Sequence, residues 1–198
     1  MRVRLALALM MTAAAGGMTG GGITAGGAEA QVTNLEAPGN LAPSVDPGCV
    51  AMSTADARLS PPDLALGVLA CGRAGKWDAA ADLYALMLLR VAYDTKRVAD
   101  ASAHQAGEVL TIQLGESLST ADRASLGAAL DRFGDPLGPQ KAALCQAAQA
   151  TGAPRHDPSW MMQHGMGAFL GTEGDGLVKG FDADAAWDKL LREDMTCG

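Results

Sequence analysis

The chain is expected to fold as an all-α protein of antiparallel helical hairpins, with about seven helices and two disulfides. Three features carry that expectation. Apolar residues recur at three- and four-residue steps through most of the chain beyond residue 60, the period of a helix face. Helix-starting residues stand where those runs begin, among them Ser60, Ser119, Asp157 and Asp182. The alternation of apolar and polar residues that marks a half-buried strand is almost missing.

The elements follow in order. Residues 1–30 read as a signal peptide: Arg2 and Arg4 precede an uncharged run to Ala28, and small residues at Ala28 and Ala30 place cleavage before Gln31. The glycine-rich half, "GGMTGGGITAGG", argues against a retained membrane anchor. No later segment is apolar enough to span a bilayer, so no integral membrane segment is expected after cleavage. Residues 31–59 form an extended N-terminal arm with several prolines and no periodicity. A single helical domain occupies 60–198.

The first helix begins at "SPPDLALGVLACG", with Ser60 as N-cap, Pro61 in the first turn, Asp63 in capping-box position and Gly72 as the stop. Leu64, Val68 and Cys71 share one face. The second covers 77–93, with Ala80, Leu83, Tyr84, Met87, Leu88 and Val91 on its apolar side. A third is expected over 96–114, marked by Val98, Ala101, Val109 and Ile112. The fourth runs from Ser119 towards Gly134, and the fifth over 139–151, ended by Gly152. Asp157 and Pro158 start a sixth that continues to Leu170, and "DADAAWDKLLRED" is the seventh, with Trp187, Leu190 and Leu191 inward. Short connections make neighbouring helices antiparallel. Aromatics are scarce, at 4%, so close packing through small side chains is the expected core chemistry.

Charge narrows the partners. The whole chain carries −7; without Arg2, Arg4 and Glu29 it has 13 basic against 21 acidic residues, or −8. An acidic chain lacking a basic run has no footprint for nucleic acid and is repelled by anionic lipid. A protein partner is the expected one, and a cationic face on it is permitted.

Cys49, Cys71, Cys145 and Cys197 all lie beyond the cleavage point. An even count in an exported chain reads as two disulfides, with three connectivities open. The pairing Cys49–Cys71 with Cys145–Cys197 is favoured; it ties the arm to the first helix and the C-terminus to a central one. The spacings are too wide for a zinc site.

"GKWDAAADLY" resembles the helix junction of a tetratricopeptide or Sel1-type repeat, over about residues 61–93. Gly75 closes the first helix, Trp77 takes the aromatic position of the second, Ala80 the small position and Tyr84 the next aromatic one. Leu66-Gly67 stands one residue away from the family's Leu-Gly pair, and Cys71 replaces an aromatic residue. The resemblance implies a short array of helical hairpins that binds proteins or peptides, and it carries no catalytic residue over.

The most site-like stretch is "RHDPSWMMQHGMGAF". Met161, Met162, His164 and Met166 have the soft sulfur and imidazole chemistry of a Cu(I) site. Core packing is the stronger reading: methionine is an adaptable filler, and Met162, Met166 and Phe169 fall on one line of the expected helix. His156 and His164 are eight residues apart, not the one-turn spacing that binds zinc. His156 beside Asp157 makes a poor hydrolytic dyad, and no nucleophile elbow is present. His104 is expected as a satisfied helix histidine. Asp175, Asp182, Asp184 and Asp188 lack the spacing of a calcium loop. No catalytic residue and no cofactor are assigned. The reading is a non-enzymatic, exported, periplasmic protein-binding module or adaptor. An inhibitor or immunity protein against a toxin or hydrolase is the first alternative, and a copper-binding protein the second.

Overall fold

A computed structural model describes residues 36–134 and 138–197; the expected signal peptide and the first residues of the arm, 31–35, lie outside them. Among the described residues the chain forms eight α-helices and no β-strand. They are α1 Pro61–Arg73, α2 Trp77–Arg97, α3 Ala106–Glu116, α4 Thr120–Leu130, α5 Pro139–Thr151, α6 Ser159–Met162, α7 Gly167–Leu170 and α8 Ala183–Lys189. The longest, α2, lies along α1 and also meets α4, α5 and α8, so the core is arranged around it.

The arm is pinned rather than free, and one carboxylate does much of the pinning. Ser60 and Asp63 form the expected capping box at the start of α1. Buried Asp63 also accepts from Ser44 N at 2.6 Å, Ser44 Oγ at 2.9 Å and Val45 N at 2.9 Å, besides Ser60 N at 2.8 Å. Burial pushes its carboxyl up, but the bonds from Val45, Ser60 and Ser44 outweigh that and leave it below the ordinary 3.8. Asp63→Asn is therefore expected to cost about 2–3 kcal/mol at neutral pH. Because the folded carboxyl is the stronger acid, its contribution is present above the ordinary aspartate value and is lost as pH falls through the folded one. Urea melts at about pH 7 and about pH 3 check this: the gap between wild type and variant should narrow in acid. A gap independent of pH would assign the loss to packing instead.

Both helices of the first hairpin run on past their expected ends. Gly72 does not stop α1. It serves the packing of the hairpin, because a Cβ there would press on the Trp77 ring at 2.9 Å. The turn comes at Gly75, whose φ of +69° suits glycine. Meanwhile α2 continues to Arg97 rather than ending near residue 93. Val98 then takes an extended conformation and bridges to Leu177. The helix expected from residue 96 is delayed in consequence: a 3-10 turn, Ala101–Gln105, capped by the Asp100 side chain, leads into α3. Leu88 and Ile112, both expected inward, are exposed. Leu86, Leu89, Arg90, Tyr93, Asp94 and Arg97 are buried, so α2 is covered on more than one face.

The rest of the core follows its caps. Ser119 caps α4, Pro139 opens α5, and Asp182 caps α8 through Ala185 N at 3.0 Å. The end of α8 loosens into a π-turn, Leu190–Asp194, that brings Cys197 back to the core. Trp187 lies edge-on to Tyr93 at 5.5 Å, with Phe181 at 5.8 Å on the same ring. The cysteines pair as Cys49–Cys71 and Cys145–Cys197, at S–S distances of 2.01 and 1.98 Å.

The expected sixth helix is broken in two. Between α6 and α7 the chain turns at Gly165, where a Cβ would collide with the Asp100 carboxylate and with Ala103. The helical line of Met162, Met166 and Phe169 therefore does not persist. Met166 is 55% and Phe169 50% exposed, so neither is the core residue that periodicity implied.

Candidate functional site

The polar centre of the protein is built on the last turns of α2. Asp94 is fully buried and is the acceptor for three donors. Arg97 Nε binds its Oδ1 at 2.8 Å; Trp160 Nε1 and His156 Nε2 reach its Oδ2 at 2.7 and 2.8 Å. Arg97 Nη2 also donates to the His156 carbonyl at 2.9 Å, and its guanidinium lies over the Tyr93 ring, 5.2 Å from the centroid. One turn back, buried Arg90 donates to the carbonyls of Asp56, at 2.9 Å, and Leu59. Burial pushes Arg90 down to about 10, with Asp94, Asp56 and Asp63 acting the other way, so it remains a cation at neutral pH. The network joins α2 to the arm and to the segment 156–160.

In the sequence His156 is legible only as a residue ahead of a helix, beside Asp157. Its actual partner is Asp94, 62 residues away. One signal could have found the network: Arg90, Asp94 and Arg97 recur at i, i+4, i+7 after the charge-free run 83–89 of α2.

A cleft of about 1120 Å³ opens beside this network. Its floor is Tyr93 and Arg97, and its far side is the segment 166–181. Two backbone bonds hold that side in place, Val178 N to Arg97 O at 2.8 Å and Ala99 N to Gly176 O at 3.0 Å. Asp100 secures the rim: its carboxylate accepts from Ser102 Oγ at 2.6 Å and from Gly167 N at 2.7 Å. Those bonds, the Ser102 hydroxyl first, keep Asp100 below the usual carboxylate range. At the mouth stand Met166 and Leu170, the latter 78% exposed, with Phe169 between them in sequence and Val178 opposite in the lining.

Two donors at the floor are unused among the described residues. Arg97 spends Nε and Nη2 on Asp94 and His156, and Nη1 meets no acceptor among the described residues. The Tyr93 hydroxyl also lacks a partner there. Burial first, against the pull of Arg97, pushes that phenol up and keeps it a neutral donor. Among the described residues, the one unpartnered side-chain polar atom sealed from solvent is His156 Nδ1. Arg97 and Tyr93 both line the cleft.

The other singled-out residues lie elsewhere. Ala80 is fully buried in α2, Trp77 and Tyr84 are half-buried, and Gly75 forms the exposed hairpin turn; none of the four lines the cleft. Met161 is buried in the core and Met162 covers Gly176. His164 bonds Asn40 through Nδ1 at 2.9 Å, while Met166 points outward at the cleft mouth. These four share no single helix. His104 Nε2 bonds the Val98 carbonyl at 2.9 Å, as a satisfied helix-start histidine should. Compared with family models, curated proteins and solved structures, the chain finds no match in any of the three.

Proposed function

We propose that this chain is an exported helical protein-binding module, and that its partner docks at the mouth of the cleft between α2 and the segment 166–181. The observation that carries this reading is the run Met166, Phe169 and Leu170, all at least half exposed, Met166 just ahead of α7 and the other two on it, with Met166 and Leu170 lining the cleft. Apolar side chains gathered this way are expensive to leave in water and commonly mark an interaction surface. Their support is rigid: α7 is tied to Asp100, and the wall behind it to Arg97 and Ala99. The tetratricopeptide-like reading of the first hairpin, in which helices present a binding face, is compatible with Trp77 against Gly72 and Gly75 at the turn. Two disulfides suit an oxidising compartment such as the periplasm.

The test compares the oxidised protein with a Phe169→Ser/Leu170→Ser variant as baits against periplasmic extract. These residues are exposed, so the variant should melt within about 0.5 kcal/mol per site of wild type. A stoichiometric partner held by wild type and lost by the variant is the expected result. Equal capture by both would reject this face. If that partner is a hydrolase whose activity falls on binding, the module acts as an inhibitor; an assembly component makes it an adaptor.

A further inference from the structure

We propose that the cleft floor is a carbonyl-receiving subsite, in which Arg97 Nη1 and the Tyr93 hydroxyl hold a backbone carbonyl of an extended, apolar and basic segment of the partner. This rests on the binding reading above and adds the chemistry of the occupant.

Arg97 and Tyr93 are themselves almost wholly buried, both line the cleft, and each keeps a donor that meets no acceptor among the described residues. The guanidinium is held on two sides by Asp94 and His156, so its remaining edge is fixed without further ordering. Preset donors of this kind bind an acceptor at low entropic cost. A neutral carbonyl suits them better than a free anion. Asp94 already balances the charge of Arg97, and the remaining charged lining is Asp100, Glu173 and Asp175 against Lys179. That surplus of carboxylates repels an anionic ligand and favours a lysine or arginine beside the carbonyl.

Around the floor, Met166, Leu170, Val178 and Phe181 offer contact to an apolar side chain. At about 1120 Å³ the cleft exceeds the roughly 300–1,000 Å³ of a small-molecule pocket, a size that admits a peptide segment. The backbone carbonyl supplies a sequence-independent anchor, and the apolar and basic side chains supply the selectivity.

Phage-displayed random dodecapeptides selected on the oxidised wild-type protein provide the probe, and the most enriched peptide is then synthesised with blocked ends for titration. The expected consensus joins a large apolar residue with lysine or arginine. Leu170→Asp should weaken that peptide by about tenfold or more. Tyr93→Phe, which removes only an unpartnered hydroxyl and keeps the ring contacts to Phe181 and Trp187, should weaken it by about three- to tenfold at unchanged thermal stability. Arg97→Lys should weaken it likewise, with stability followed in parallel. Enriched acidic peptides, or equal affinity for wild type and Tyr93→Phe, would overturn the subsite while leaving the docking face intact. No enrichment, or peptides indifferent to Leu170→Asp, would overturn both.

Discussion

Replacing Asp94 with alanine is expected to destabilise the protein by about 3–5 kcal/mol, the scale for removing one partner of a buried ion pair. Three donors lose their acceptor at once: Arg97 Nε, Trp160 Nε1 and His156 Nε2. Arg97 then carries a nearly buried charge without its counter-ion. Urea denaturation of wild type and variant gives the number. A double variant, Asp94→Ala with Arg97→Met, separates the causes. Removing the stranded cation should make it less destabilised than the two single changes added together. A cost under about 1 kcal/mol for Asp94→Ala would mean that the apolar contacts of α2 alone hold this region.

Loss of the disulfides should have an effect of similar size. The loops they close span 22 and 52 residues in sequence. Loop-closure entropy then predicts about 3 kcal/mol for Cys49–Cys71 and about 4 kcal/mol for Cys145–Cys197. Their positions make the effect local as well as global. Cys49 anchors the arm whose Ser44 and Val45 engage Asp63, while Cys197 anchors the chain beyond the π-turn. The paired alanine variants, melted in urea without reductant, measure each bridge separately. Thiol titration of the unfolded, unreduced protein should find essentially no free cysteine. If the Cys145→Ala/Cys197→Ala variant lost less than the Cys49→Ala/Cys71→Ala variant, the ordering by loop length would fail and local strain or packing would have to account for it.

What could be read from the chain alone was what is encoded within a few residues. Ser60 with Asp63 announces α1, Pro139 and Gly152 bracket α5, and Asp182 starts α8, because caps and turns are satisfied by neighbours three or four positions away. The expected export and the even cysteine count led to two disulfides on similarly compositional grounds, and their pairing ties the arm to α1 and the segment beyond the π-turn to α5. The candidate site was different. Its residues were visible, but their relations were not: His156 and Trp160 meet Asp94 across 62 and 66 residues, and Gly167 meets Asp100 across 67. Periodicity also failed at 157–170, where a regular apolar line was expected. Gly165 is pressed against Asp100 and Ala103, and that contact turns the chain, exposing Met166 and Phe169. Local hydrogen bonds and helix propensity thus determined the elements. Only tertiary packing decided which charges are buried together, because the stability of a buried charge depends on partners that folding brings from distant parts of the chain.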